Sequence, residues 1–580
     1  MASPKSLDGA ASTPAVVPHV RDLLSPPPTD TSLRLAKPKK RALTQLAPND
    51  YARAVLDYSR LPTGAGQNHK NLGDYLSKPF AIQIDSHAAL QDDPFVTLHE
   101  LETQGPPIIA QDADSGDDRS HDGCKPKRWR EFADPVAFAN FGKDSGGEDR
   151  SRLVFLRGFM SATWINTIGA RYLVDPEFFC RHLDFKPADD IDNMFSSPPL
   201  PSASWHLIQL PIMTVGARNT NTGLICLEDL EKLRCDGRKK LIAHHKAINR
   251  LARSGMSLGE SMVRDYHVFD ETHFAFEQRI SICLKENDDN DGFNLFVWLD
   301  GGKDFAKDTN EFPWSQKKGD HFLPIIRHKN MIALKSHLFG QDAIGAKHAS
   351  SASLLHRDYG RSLRPSVMCT DALYALNEVF SFSASSEIAF LNIIEHKLDK
   401  YTEPSEDEFE MLPNLRYTKA ILYRHIQKID QILTSIHNTK HPRWPKTKCA
   451  EGTKKAEVAS GGLVQDFQHL KDRAHTLHNR CNEAITVLMS SMSIAESRKA
   501  INQAERVTKL TFLAFIFVPL SFTTSFFGMN VKQFGTETSL WWWAAFTVPV
   551  FGFAFTAFFL DWARPFRALL RLVKRIYDKV

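Results

Sequence analysis

Small side chains recur along one stretch near the C-terminus in alternating steps of four and three residues. The positions are Ser493, Ser497, Ala500, Ala504, Val507, Thr511, Ala514, Val518 and Ser521, called the small-residue stripe below. On a helix this spacing places them on one face, but two- or three-stranded packing would need Leu or Ile there. The stripe therefore indicates helices that touch very closely or surround a narrow lumen. The alternative is ordinary small-residue packing against a neighbouring membrane helix.

The stripe belongs to a long predicted helix that ends in an apolar segment. No Pro or Gly interrupts residues 463–518, which predicts a helix of roughly 80 Å before Pro519. Residues 510–527 and 540–560 carry no charge, and as helices they reach roughly 27 and 31 Å, about the thickness of a bilayer core. The pattern predicts a transmembrane hairpin; the alternative is two buried helices of a soluble core.

Charges on either side of the hairpin predict its orientation. Basic residues precede the first span and follow the second, whereas the loop 531–539 has Lys532 as its single basic residue. By the positive-inside rule both termini are cytoplasmic and the loop faces outward. Trp541, Trp542 and Trp543 suit the outer interface of the second span. We expect an integral membrane protein, at the plasma membrane first and at a vacuolar or other internal membrane as the alternative.

The residues that close the first span resemble a known family. Phe527-Gly528-Met529-Asn530 follows Lys509-Leu510-Thr511 and Phe517-Val518-Pro519-Leu520-Ser521. Together they resemble the CorA-like magnesium transport family, whose signature is a Gly-Met-Asn triplet at the end of the first of two C-terminal transmembrane helices. The resemblance implies a homopentameric cation channel, with the first span lining the pore and the second packed outside it in the membrane lipid.

The resemblance also implies roles for individual residues. Gly528, Met529 and Asn530 would form the selectivity filter, where Asn530 contacts a hydrated ion through the ion's water shell, because Mg²⁺ sheds water reluctantly. Ser521 falls at a hydroxyl ring deeper in the pore. Val518 and Val507 fall at apolar constrictions, which can gate by dewetting. The remaining pore-lining positions in the membrane part are Ala514, Thr511 and Ala504.

Several residues depart from the family pattern and keep other functions open. Lys532 beside the pore mouth should repel cations, and five copies would roughly cancel the ring of Glu537 in the outer loop. Phe527 replaces the common Tyr, and Ser493 stands where some relatives have an acid. The alternatives to Mg²⁺ influx are transport of another divalent ion such as Zn²⁺ or Co²⁺, and a non-conducting membrane-anchored scaffold or signalling protein.

Composition excludes several functional classes. The net charge of +4 over 580 residues argues neither for nucleic acid nor for an acidic partner, and we expect no nucleic acid partner. The eight cysteines include no CxxC pair, which fits a reducing compartment and no zinc knuckle. Motifs of hydrolases, nucleotide-binding loops and HExxH metalloproteases are absent from the sequence, so we expect no enzyme and no cofactor besides Mg²⁺ as transported and regulatory ion. Met1 to Ala10 is polar, which predicts no secretory signal.

Outside the hairpin the chain divides into four further segments. We expect a disordered tail over 1–48 with a basic patch at 37–41, an α/β domain over 49–360 with a mobile acidic loop near 105–127, helical arms and a stalk helix over 366–509, and a basic tail over 561–580. Strands are predicted at 152–159, 204–210, 278–284 and 294–299, the last two as a hairpin. Helices are predicted at 164–172 and from Pro176, capped by Asp175; this part is similar to fungal members of the family.

The arms are predicted as helices 366–401 and 415–437, separated by an acidic turn over 402–413. The resemblance implies that acids such as Glu403 to Glu410 sense Mg²⁺ between subunits; the alternative is a solvated turn. A second break is expected over 441–462, with Gly461-Gly462 as a turn.

Two stretches imitate metal sites. The turn with Asn287, Asp289 and Asp291 lacks the Glu that a calcium loop needs, since Trp298 stands at position twelve. His469, His475 and His478 are expected to be surface histidines.

Overall fold

The structure is a computed structural model. It describes residues 46–61, 66–77, 95–101, 129–141, 151–184, 200, 202–219, 227–249, 259–287, 292–303, 305, 312–315, 320–326, 351–357, 359–360, 362–402, 408–528 and 540–559. The helices are α1 Pro48–Ser59, α2 Gly66–Ser77, α3 Pro135–Asn140, α4 Ala162–Tyr172, α5 Pro176–Leu183, α6 Leu227–Asn249, α7 Ser351–Leu354, α8 Pro365–Met368, α9 Ala372–Thr402, α10 Glu408–Asn438, α11 Ala450–Gly528 and α12 Leu540–Phe559. The strands are β1 Val96–Leu101, β2 Trp129–Phe132, β3 Ser151–Arg157, β4 Leu207–Ala217, β5 Asp265–Val268, β6 His273–Glu286, β7 Phe293–Leu299 and β8 His321–Phe322.

The strands form one mixed sheet in the order β2-β1-β3-β7-β6-β4-β8, with β5 also paired to β6. β3 and β7 run parallel, with Val154 opposite Phe296, and the other pairs are antiparallel. The predicted hairpin is confirmed, since β6 pairs with β7 and the turn closes through the backbone bond from Asn287 N to Gly292 O at 3.2 Å. The four predicted strands are present, but β4 and β6 are longer than expected.

Helices cover both faces of this sheet, which confirms an α/β domain. Successive side chains of a strand point to opposite faces. Leu153 and Phe155 of β3 therefore join a core cluster with α9, whereas Val154 and Leu156 join a second cluster with α4 and α5. Every residue of β3 and β7 is buried, as is typical of a strand covered on both sides.

A buried ion pair closes the end of β7. Asp300 is fully buried and accepts hydrogen bonds from Arg264 Nε at 2.7 Å and Arg264 Nη2 at 2.6 Å. Burial alone would raise the pKa of Asp300, but Arg264 and the neighbouring His182 hold it well below its usual range. No local pattern predicts this pair, because its members lie 36 positions apart in the chain.

The predicted start of α5 is confirmed in detail. Pro176 lies in the first turn, and Asp175 Oδ1 accepts a hydrogen bond from Glu177 N at 2.9 Å. The other carboxylate oxygen of Asp175 lies 3.0 Å from His206 Nε2. A short local motif therefore sufficed to place this helix.

The predicted first arm is two helices, α8 and α9, because Asp371 intervenes. Its Oδ1 accepts a hydrogen bond from Tyr374 N at 2.8 Å, as a cap does at a new helix start. The acidic turn predicted over 402–413 is wrong from Glu408 onward, where α10 begins and carries Pro413 inside it. Glu is a good helix former, and the apolar face of α10 with Leu415 and Ile421 is buried in the core.

The predicted break over 441–462 is also wrong in its second half, because α11 begins at Ala450 and runs through Gly461-Gly462. Each Gly costs a helix about 1 kcal/mol relative to Ala. Ala456, Ala459 and Leu463 pack against the core beside these glycines, and this packing offsets that cost. The helix also continues through Pro519 to Gly528.

Other sequence predictions lie outside the described residues. They concern the tail 1–45 with the basic patch 37–41, the loop near 105–127, Asp289 and Asp291 of the turn, residues 403–407, and the basic tail 561–580.

Candidate functional site

The candidate site lies on α11, whose 79 residues extend about 118 Å. Its first part packs on the arms through a buried row of Leu463, Phe467, Leu470, Ala474, Leu477 and Cys481. Between Ser493 and Gly528, by contrast, Thr523 is the one buried residue. The same helix is thus a core element in its first part and an exposed one in its last part.

Ion pairs fix the first part of α11 to the arms. Arg480 Nη2 lies 2.6 Å from Asp399 Oδ1 of α9, and Lys471 Nζ lies 2.6 Å from Asp430 Oδ1 of α10. Arg473 pairs with Glu395 of α9. Sequence reasoning missed these pairs because they join helices far apart in the chain. They hold the helix that carries the small-residue stripe in a defined position on the arms.

All nine residues of the small-residue stripe are exposed in the single chain. The two valines at the expected constrictions are the larger members, with 60% of Val507 and 64% of Val518 exposed. No described part of this chain covers the stripe. Whatever covers it must come from outside the described chain.

Three of the four hydroxyl groups of the stripe bond to their own helix. Ser497 Oγ donates to Ser493 O at 2.8 Å, Thr511 Oγ1 to Val507 O at 2.8 Å, and Ser521 Oγ to Val518 O at 3.1 Å. Each of these three hydroxyl protons is therefore committed to a backbone carbonyl. The lone pairs of these oxygens are left for a group that donates a hydrogen bond or carries positive charge.

A different face of α11 packs against α12. The rings of Phe526 and Phe546 stack with centroids 5.9 Å apart, and Phe512 and Phe515 line a small apolar cleft with Phe551 of α12. Thr523 is buried on this face, its Oγ1 donating to Leu520 O at 3.0 Å. Within one chain, packing against α12 therefore does not use the small-residue stripe.

Of the residues predicted at the pore mouth, the structure describes one. Gly528 is the last residue of α11, and it is exposed. Met529, Asn530, Lys532 and Glu537 lie outside the described residues.

Among the residues searched, α11 is the one helix long and apolar enough to cross a membrane, and 6% of its apolar window is buried inside the chain. The second predicted span corresponds to the helix α12. That α12 crosses a membrane stays a prediction.

The other metal-like stretches occupy ordinary positions. Asn287 Oδ1 accepts a hydrogen bond from Asn294 Nδ2 at 2.6 Å, and Trp298 is fully buried in β7. His469 and His475 are exposed on α11, and His478 is half-buried there.

The arms meet the sheet through polar contacts that the sequence did not predict. Lys397 of α9 pairs with Asp270, which also accepts from His273 N at 2.7 Å. Burial works to raise the pKa of Asp270, but the hydrogen bonds from His273 and Lys397 outweigh it and hold that pKa far below its usual range.

Comparison with known proteins points to one class. Residues 372–562, about a third of the chain, match the family described as "CorA-like Mg2+ transporter protein". The matched part contains α9, α10, α11 and α12.

Among solved structures, 11 chains match, including the complete structure of the CorA magnesium transporter from Methanocaldococcus jannaschii. That match has 14% identity and a TM-score of 0.25, and covers 60% of this chain and 98% of the other. A likeness at this level carries no argument. No curated protein matches the chain.

Proposed function

We propose that the protein is a channel for divalent cations, Mg²⁺ foremost, and that copies of the small-residue stripe line its pore in a homopentamer. The observation that carries the proposal is that all nine residues of the stripe are exposed on a helix within the matched family segment. This activity is transport, and no enzymatic step is part of it. The transmembrane potential favours cation entry by about 2.3 kcal/mol per charge per 100 mV.

The chemistry of the stripe suits a hydrated cation. The hydroxyl groups of Thr511 and Ser521 donate hydrogen bonds to backbone carbonyls of their own helix. Their oxygens therefore present lone pairs to the lumen and can accept hydrogen bonds from the ion's water shell. Val518, between these polar rings, and Val507, one turn before Thr511, would form apolar constrictions that conduct when wetted and close when dry. Neutral oxygens of this kind pass an ion without binding it too tightly to leave.

In this proposal the filter is Gly528, Met529 and Asn530, at the outer end of α11. The end of α11 at Gly528 supports this placement, as does the stack of Phe526 on Phe546, which holds that end against α12. Five Asn530 amides would offer oxygen acceptors to the outer water shell of Mg²⁺. Lys532 and Glu537 would set the potential of the mouth.

The proposal includes two membrane spans, which are α12 and the part of α11 that begins at Leu510. Both termini would lie in the cytoplasm, and the channel would lie in the plasma membrane. Leu510 and Phe517, more than 60% exposed and off the stripe, would face lipid or neighbouring helices. Cytoplasmic Mg²⁺ bridging the arms of neighbouring subunits would close the pore.

Two other functions have a specific residue in their favour. Lys532 beside the mouth weakens cation attraction, which fits a non-conducting scaffold. The neutral filter is also compatible with Zn²⁺ or Co²⁺ as cargo.

The test is Mg²⁺ entry into liposomes that contain the purified protein, with an internal fluorescent indicator and a negative-inside potential. Wild type is compared with Asn530→Ala and with the matched control Asn502→Ala, an exposed position of α11 on the side opposite the stripe.

We expect entry through wild type and Asn502→Ala and loss of entry in Asn530→Ala. A correctly assembled wild-type pentamer that admits no Mg²⁺ at low internal Mg²⁺ would contradict the magnesium channel. Entry of Zn²⁺ or Co²⁺ in the same vesicles would then favour another ion, and no entry of any of them the scaffold.

A further inference from the structure

Far from α11, helices α2 and α5 bring three side chains of mixed chemistry together. His69 of α2 and Glu177 and Cys180 of α5 have donor atoms that all lie within 4.8 Å of one another. Among the described residues they are the one such group of three metal-ligating side chains. Their spacing along the chain gave no sign of this, because His69 lies more than a hundred positions from its partners.

The distance between His69 and Glu177 fits two ligands of one ion better than a hydrogen bond. His69 Nε2 lies 3.6 Å from Glu177 Oε2, whereas a hydrogen bond would bring these atoms to about 3 Å. In a tetrahedral zinc site with bonds of about 2.0–2.3 Å, neighbouring ligand atoms lie about 3.3–3.6 Å apart. Cys180 Sγ lies within 4.8 Å of both of these atoms, so a movement of at most about 1 Å completes this geometry.

The carboxylate of Glu177 is held with one oxygen directed to the site. Arg181 Nε donates to Glu177 Oε1 at 2.7 Å, which leaves Oε2 on the side of His69. The backbone of Glu177 is fixed by the cap of Asp175. Since Glu177 and Cys180 are three residues apart on a helix, their side chains lie on the same face.

The site is shielded from water, and Asn68 lies beside it. His69 is 5% exposed and Cys180 is 4% exposed. Cys180 Sγ lies 3.8 Å from Asn68 O, and Asn68 Oδ1 is a buried oxygen without a hydrogen-bond partner among the described residues. A buried oxygen of this kind is normally satisfied by a protein group, water or an ion.

We propose that His69, Glu177 and Cys180 bind one Zn²⁺ ion that ties α2 to α5. A donor set of imidazole nitrogen, carboxylate oxygen and thiolate sulfur suits Zn²⁺, whereas Mg²⁺ and Ca²⁺ take oxygen ligands. Three protein ligands leave the fourth position to water or to Asn68. Cys180 loses its thiol proton to solvent when the ion binds. This ion is separate from the cargo of the proposed pore and does not depend on conduction.

The test uses the full-length protein in detergent, stripped of metal with a chelator and titrated with Zn²⁺ and, separately, with Co²⁺. We expect one ion per chain, resistance to excess Mg²⁺, and a thiolate-to-cobalt charge-transfer band. Zn²⁺ should also raise the melting temperature, because the ion binds the folded chain only.

Variants separate this site from other thiols. Cys180→Ser should remove the charge-transfer band, and His69→Gln should lower Zn²⁺ affinity by about 100-fold or more, beyond the loss of an outer-shell contact. Cys283→Ser is the matched control, because Cys283 is a buried cysteine of the same hydrophobic cluster, and it should leave the band intact. Arg181→Gln, which frees the carboxylate of Glu177, should keep the band and weaken Zn²⁺ binding about 10- to 100-fold.

A wild-type protein that binds Co²⁺ without a charge-transfer band would overturn the proposal, even if every variant failed to fold. So would a band that persists in Cys180→Ser. Mg²⁺ flux in liposomes is expected to be the same for wild type and for the stripped protein, so failure of this site and failure of the channel proposal give different results.

Discussion

The two parts of α11 have similar helical spacing but opposite surroundings. From Leu463 to Cys481 the repeating positions carry mostly large apolar side chains, and α9 and α10 bury them. From Ser493 to Ser521 the repeating positions carry small side chains, and no described residue of the chain covers them. One helix therefore serves as the core of the arms and as a surface that the single chain leaves open.

The difference shows that side-chain size, rather than periodicity, separates the two roles. Large side chains at this spacing make a core within one chain, and their burial stabilises the part of the chain that precedes the stripe. Small side chains at the same spacing add little stability within the chain but permit close approach of other helices or a lumen. The predictions below alter one part and use the other as the reference.

The largest effect is expected from Phe467→Ala. Phe467 is fully buried and meets the ring of Phe380 edge-on at 6.4 Å. Removing it should lower the free energy of unfolding by about 3–5 kcal/mol, because the side chain leaves a cavity. Val507→Ala, on the exposed stripe, should change it by less than about 0.5 kcal/mol. Denaturant unfolding of the detergent-solubilised protein measures both, and equal effects would remove the contrast between the two parts.

A smaller effect concerns pH, since the buried titratable groups lie in the sheet and the arms and the stripe has none. His267 is buried against the arms, and its pKa is lowered to about 4, chiefly by burial. His425 and Arg424 also lower it, while Asp265 and Glu277 act in the opposite direction. The unfolded chain takes up a proton on His267 near pH 6.5, before the folded chain does. The unfolding free energy should therefore fall as the pH drops from 6.5 toward 4.

For His267 alone this loss reaches about 2 kcal/mol between pH 6.5 and 5. In His267→Phe, which keeps a ring beside Phe390, the pH dependence of unfolding should be shallower by up to one proton. An unchanged slope would show that the protonation of His267 does not differ between the folded and unfolded states in this pH range.

The smallest effect is a stabilisation at the start of α11. A Cβ atom at Gly461 would meet nothing within 4 Å, and the residue is exposed in a helix. Gly461→Ala should raise the unfolding free energy by about 0.5–1 kcal/mol, because Ala has less freedom in the unfolded chain. Thermal unfolding measures this change, and a lower melting temperature would indicate that the two glycines are needed as glycines.

Local signals in the sequence predicted the elements that local physics determines. The Asp175-Pro176 pair correctly predicted the start of α5. Short apolar runs typical of strands correctly predicted β3 and the β6–β7 hairpin. Local signals failed where tertiary packing decides. Gly461-Gly462 reads as a turn but lies in a helix that Leu463 and its neighbours hold to the core.

The candidate sites show the same division. The small-residue stripe was visible in the sequence because all its members lie on one helix. The group of His69, Glu177 and Cys180 was not visible, because only the packing of α2 on α5 brings His69 to its partners. A Glu and a Cys three residues apart are too common to indicate a site alone.

The most direct test of the central claim is thiol accessibility along α11 during Mg²⁺ transport. Thr511→Cys and Ala514→Cys lie on the stripe, and the control Leu513→Cys lies beside them on another face. Each is reconstituted in liposomes and exposed to a water-soluble, membrane-impermeant thiol reagent, with wild type as the reference for the native cysteines.

If the stripe lines a pore, the reagent stops Mg²⁺ entry in Thr511→Cys and Ala514→Cys but not in Leu513→Cys or wild type. Equal response at all three positions, or block at Leu513→Cys alone, would contradict a pore lined by the small-residue stripe.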